Sequence, residues 1–157
     1  MRSKYLIGIL IACMAWFSSG CALNRYEVIP QTDKGPQGGQ MMLIHQCGSG
    51  YVEFVAKPTS GSKWLLQIFG YDKNMKPKMR YHSADVEIVT PDKKETSVTL
   101  WNMDPFFWNR GVGILSGKAN IEGNAFTAHV WLSHGNPSSS HCIDFNYPFD
   151  GPERTTT

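Results

Sequence analysis

The sequence predicts an all-β fold: an antiparallel β-sandwich of about eight strands, Ig-like, set behind a signal peptide and a flexible tether. Three observations lead there. From residue 41 onward, apolar and polar residues alternate in short runs, the spacing of a strand with one face in a core and the other in water. Clusters of Gly, Pro, Asn and Asp separate those runs, and no long amphipathic helical stretch interrupts them. The first twenty residues differ in character, with two cations followed by an uncharged apolar run. A closed barrel is the alternative arrangement of the same strands.

The chain opens with Met1-Arg2-Ser3-Lys4, and Tyr5 to Phe17 follow without a charge before Ser18-Ser19-Gly20-Cys21. This is the layout of a secretory signal over residues 1–20. A membrane-spanning helix needs about 20 apolar residues, and this run is shorter and ends in small ones. Small residues fit a signal-peptidase cleft, and a thiol directly after them can take a diacylglycerol. Residues 21–40, poor in apolar side chains and ending in Lys34-Gly35-Pro36-Gln37-Gly38-Gly39-Gln40, read as a lipidated N-terminus and tether. The domain then spans residues 41–149, and residues 150–157 read as a disordered tail.

Within the domain the predicted strands are Met41 to Cys47, Tyr51 to Ala56, Trp64 to Tyr71, Ala84 to Thr90, Thr96 to Trp101, Val112 to Ala119, Phe126 to Ser133 and Cys142 to Tyr147. Alternation is clearest where Val86 and Ile88 oppose Asp85 and Glu87, and where Val98 and Leu100 oppose Ser97 and Thr99. Phe126, Ala128, Val130 and Leu132 likewise share one face. Pro58 to Ser62, Asp72 to Pro77, Pro91 to Lys94, Glu122 to Asn124 and Gly135 to Ser140 supply the turns.

Removing twenty residues from the 157 leaves 137, enough for one domain with its own core. Arg2 and Lys4 leave with the signal, so 13 of the 15 basic residues face 13 acidic ones. Nucleic acid binding needs a concentrated cationic face to neutralise phosphates, and the mature composition supplies none. Catalytic signatures are missing too: there is no Gly-x-Ser-x-Gly elbow, no phosphate-cradling glycine loop and no His-Glu-x-x-His.

Phe17-Ser18-Ser19-Gly20-Cys21 resembles the lipobox of bacterial lipoproteins, whose usual form is Leu, a small residue, Gly or Ala, then Cys. Ser18 stands here where Leu is commonest. Leu10-Ile11-Ala12-Cys13 matches in letters, but cleavage there would leave almost no apolar segment for export. The resemblance implies a diacylglycerol and a palmitate on Cys21, and a mature chain held on a membrane. Ala22 in place of Asp after the cysteine implies sorting to the cell outer membrane, facing the periplasm, in a two-membrane bacterium. In a one-membrane bacterium the anchor would be the outer face of the plasma membrane. The alternative is an ordinary signal peptide with Cys21 as a disulfide cysteine.

With Cys13 discarded and Cys21 given to lipid, Cys47 and Cys142 remain as one pair in an oxidising compartment. Neither has a second cysteine close by, as a zinc ribbon or a redox Cys-x-x-Cys requires. A disulfide between them is expected, closing nearly the whole domain and contributing on the order of 4–5 kcal/mol in the chain-entropy description.

A second resemblance covers residues 35–147. Gly35-Pro36-Gln37-Gly38-Gly39, Tyr51-Val52-Glu53-Phe54-Val55, Leu66-Gln67-Ile68-Phe69-Gly70-Tyr71-Asp72, Ala84-Asp85-Val86-Glu87-Ile88, Lys93-Lys94-Glu95-Thr96, Leu115-Ser116-Gly117 and Phe145-Asn146-Tyr147 follow one another in order. This order resembles the small periplasmic β-sandwich domain of proteins that accompany heavy-metal efflux systems. In that family a His commonly precedes the Gly-Pro-x-Gly-Gly stretch; Lys34 stands there in this chain.

Three constellations are candidates for function. Met75, Met79 and His82 combine two thioethers and an imidazole, the donor set of a periplasmic cuprous site, in a loop that also holds Lys73, Lys76, Lys78 and Arg80. Otherwise this is a solvated basic loop whose methionines cover the end of the domain. His129, His134 and His141 would suit zinc or copper if they converged, although no Asp or Glu is clearly placed in sequence to orient them. Otherwise they are separate surface histidines. Trp101 to Arg110 carries Phe106, Phe107 and Trp108, either a contact surface or a plug for the open end of the fold.

The expected function is a non-catalytic binding or assembly module, tethered through Cys21 and making protein contacts with an envelope partner at the membrane surface. The second reading is a periplasmic copper- or zinc-binding accessory of an efflux or resistance system. No other cofactor is expected, and an enzyme is the third reading.

Overall fold

Period-two runs need ladder partners, and each predicted run finds them within its described residues; residues 46–47 and 112–113 of the predicted runs lie outside these. The structure is a computed structural model that describes residues 27–45, 49–102, 114–133 and 142–154, and among these residues there is no helix. Among the described residues nine strands follow one another: β1 (Glu27–Pro30), β2 (Gln40–His45), β3 (Ser49–Ser60), β4 (Lys63–Asp72), β5 (Ser83–Val89), β6 (Glu95–Asn102), β7 (Ile114–Asn120), β8 (Phe126–Ser133) and β9 (Cys142–Tyr147). All pair antiparallel in one sheet of order β1-β2-β3-β4-β7-β6-β5-β8-β9.

The sheet nearly closes on itself. Asn146 N donates to Gln40 Oε1 at 2.6 Å, Lys34 N donates to the Pro152 carbonyl at 2.9 Å, and Phe54 stacks on Phe145 with ring centroids 5.4 Å apart. The antiparallel all-β class is as the sequence predicts, while the layering is barrel-like and not clearly two separate sheets. Alternation fixes which residues face inward, and a curled sheet demands the same pattern as two packed ones.

The inward set follows that alternation. Ala84, Val86 and Ile88 of β5, Phe126, Ala128, Val130 and Leu132 of β8, and Ile143 and Phe145 of β9 meet Trp64, Leu66 and Ile68 of β4 in one core. Trp64 lies edge-on to Phe126 and Tyr147 and donates Nε1–H to the Ile121 carbonyl at 3.2 Å, so its polar atom is satisfied in the apolar interior.

Two differences from the sequence reading have a physical cause. β3 continues through Pro58, read as a turn, because β2 pairs only as far as Phe54 and the missing proline N–H is not required beyond it. The register then shifts between Pro58 and Ser60, and Gly61 turns the chain at φ +60°.

The second difference is a small outer layer. The sheet begins at Glu27, inside the stretch read as tether, and residues 31–39 fold back over the outer face of β3. Residues 151–154, inside the stretch read as tail, pack there too: Lys34 Nζ pairs with Glu153 at 3.0 Å and Arg154 Nη1 lies 3.3 Å from Met75 Sδ. Beneath this layer Glu53 is fully buried. Its Oε1 accepts from Gln37 N at 2.9 Å and Gly39 N at 2.8 Å, and its Oε2 accepts from the Tyr71 hydroxyl at 2.7 Å. Glycine is required on both sides of this niche: a Cβ on Gly35 would fall 2.3 Å from Glu53 Cδ, and one on Gly39 would fall 2.1 Å from the Phe54 carbonyl oxygen. Burial raises the Glu53 pKa, and the three hydrogen bonds and the charge of Arg154 only partly counter it.

Candidate functional site

Side chains that leave the core on β6, β5, β8 and β9 line up in rows across the ladders. One row runs Ser97, Glu87, His129, Asp144; the next runs Thr99, Asp85, Trp131, Cys142; a third holds Trp101, Ser83 and Ser133. These four strands contain Asp85, Glu87, Glu95 and Asp144 and neither Lys nor Arg. The outer face is therefore anionic, although the chain as a whole has 15 basic and 13 acidic residues.

At the β9 edge of this face three side chains meet. His129 Nδ1 lies 2.7 Å from Asp144 Oδ1, and Cys142 Sγ donates to the same oxygen at 3.6 Å. One donor atom from each of the three lies within 4.8 Å of the other two. The side chains of His129 and Asp144 are 31% and 63% exposed, so solvent reaches the group. A shallow groove of about 300 Å³ runs beside it, lined by Asp85, Glu87, Ser97, Thr99 and Trp131 among others. Thr99 Oγ1 donates to Asp85 Oδ1 at 2.7 Å and fixes that carboxylate.

Cys, His and Asp in contact also make up a thiol nucleophile with its base and orienting acid. The electrostatics here run the other way. Burial raises the Cys142 pKa, and the charge and hydrogen bond of Asp144 and the charge of Glu87 push it in the same direction. An activated cysteine needs a lowered pKa and cationic neighbours, so this arrangement disfavours a resting thiolate.

Asp144 corrects the sequence reading, which found no carboxylate placed to orient His129. The two are directly opposed across the β8–β9 ladder, a relation that fifteen residues of sequence separation hide. His134 and His141, the other members of the predicted trio, lie outside the described residues. The predicted methionine and histidine set is spread out. Met79 is 4% exposed and belongs to the core, while the Met75 thioether faces the Arg154 guanidinium. His82 is half-buried, and its backbone joins Ser133 and Asn102. Lys73, Lys76 and Lys78 are exposed around them, as a solvated basic loop requires.

Cys142 is exposed and bonded to no other described cysteine, and Cys47, its expected partner, lies outside the described residues. The predicted signal segment 1–20, the predicted lipidation site Cys21, and Phe106, Phe107 and Trp108 lie outside them as well. Of the aromatic stretch, Trp101 is described and is 61% exposed. No protein-family model, no curated protein and no solved structure matches the chain.

Proposed function

We propose that the chain is a cell-envelope lipoprotein, anchored by a diacylglycerol on Cys21 in the outer membrane facing the periplasm, whose β domain is a non-catalytic module making protein contacts at the membrane surface. The exposure of Trp101 carries the second half of this reading. Ile29 and Trp101 are the exposed large apolar side chains among the described residues, and Trp101 is much the more open, at 61% against 37%. A partner that covers the open part of the indole removes about 150 Å² from water, worth roughly 3–4 kcal/mol at about 25 cal/mol per Å². Trp101 also opens the aromatic stretch that the sequence reads as either a contact surface or a plug; its exposure favours the contact reading, and tryptophan is enriched where proteins meet.

The test is a photo-crosslinking amino acid placed at position 101 of the full chain in cells, with exposed Lys57 as the control position. A single protein adduct from position 101, absent from position 57, is expected. No adduct, or the same adducts from both positions, contradicts the reading.

A further inference from the structure

We propose that His129, Asp144 and Cys142 form a binding site for a borderline divalent cation of the zinc type on the outer face of the β8–β9 pair. The donor set is one imidazole nitrogen, one sulfur and one carboxylate oxygen, the mixture that zinc takes in preference to magnesium or calcium. It differs from the methionine set and the histidine trio that the sequence suggests, sharing only His129 with the latter.

The separations suit an ion. Donors held at about 2.0–2.3 Å from a tetrahedral centre lie roughly 3.3–3.8 Å from one another. Cys142 Sγ and Asp144 Oδ1 already stand 3.6 Å apart. His129 Nδ1 and Asp144 Oδ1, at 2.7 Å, share a proton that the cation would replace, with an opening of under about 1 Å. The backbone holds the set in place. Cys142 and Asp144 are two apart on one strand face, and His129 is the ladder partner of Asp144, so no loop has to close for the donors to converge.

The surroundings favour a cation as well. Glu87 adjoins His129 in its row and Asp85 follows in the next, with no Lys or Arg on β5, β6, β8 or β9. Asp144 is 63% exposed, which leaves room for water to complete the coordination, and Glu87, the ladder partner of His129, adds negative charge beside the set. The site needs reduced Cys142, whose S–H proton, now donated to Asp144, is released to water as the sulfur binds the ion as a thiolate. A disulfide to Cys47 and a thiolate on the metal exclude each other.

The test uses the full-length chain in detergent with its thiols reduced by a phosphine, titrated with cobalt(II) chloride and then competed with zinc(II). One equivalent of cobalt with a thiolate charge-transfer band, displaced by zinc, is expected. Cys142→Ser removes the band, His129→Ala and Asp144→Asn each weaken affinity at least about tenfold, and Cys47→Ser leaves both unchanged. Thermal denaturation confirms that each variant is folded, and if Cys142→Ser is not, the other two carry the test. The proposal is overturned if the reduced chain shows no band, if the band survives Cys142→Ser, if it is lost in Cys47→Ser, or if His129→Ala and Asp144→Asn both bind as the parent does.

Discussion

Replacing Glu53 by Ala removes an acceptor from three donors at once. Two of the three hydrogen bonds, from Gly39 N and the Tyr71 hydroxyl, are buried, while the third comes from Gln37, which is exposed and can turn to water. A buried donor left unpaired costs about 1–3 kcal/mol, so the two together cost about 2–6 kcal/mol, with a midpoint near 4. That is a large share of the stability of a domain this size. Glu53→Gln keeps an oxygen for the two backbone donors and offers an amide N–H to the Tyr71 oxygen, so at pH 7 it stays within about 1 kcal/mol of the parent. The pH dependence has a definite sign. Burial places the folded pKa above the ordinary 4.5, so the unfolded chain releases the Glu53 proton first as pH rises. The parent therefore loses stability relative to Glu53→Gln from about pH 4.5 upward until the folded pKa is passed, after which the difference is constant. Urea denaturation of both variants and the parent from pH 4 to 8 measures this. A Glu53→Ala midpoint equal to the parent's, or a Gln variant as damaged as the Ala one, would refute the account of the niche.

Gly39→Ala should cost about 1–3 kcal/mol, because the new Cβ meets the Phe54 carbonyl and the loop has to back away from the sheet; chemical denaturation reads it directly. Phe145→Ala should cost about 3–5 kcal/mol, since that ring is fully buried against Phe54, whereas Trp101→Ala should stay within about 0.5 kcal/mol. Equal melting temperatures for these two variants would contradict the inward and outward assignment of β9 and β6.

How much of this was legible in the sequence depends on what each residue's neighbours are. Val86, Ile88, Val130 and Leu132 declare their inward direction by alternation alone, and they are buried in the fold. Glu53 reads equally well as the water-facing member of Tyr51-Val52-Glu53-Phe54-Val55, yet it is buried. What covers it is the Gly35 to Gly39 loop, more than a dozen residues away, and spacing within one strand carries no trace of that. β1, Glu27–Pro30, has only four residues and ends in proline, too short for a periodic signal. The His129, Asp144 and Cys142 group depends on which strands are neighbours. Its rows exist because β5 lies between β6 and β8 and β9 follows β8, an order that curling of the sheet decides and that local propensity does not encode.

The claim that this is a lipid-anchored envelope protein is tested most directly by metabolic labelling of the full-length chain with a radioactive fatty acid. The account predicts label in the parent and in Cys13→Ser and none in Cys21→Ser, with the Cys21→Ser chain released from the membrane fraction. An unlabelled parent, or label that survives Cys21→Ser, would contradict it.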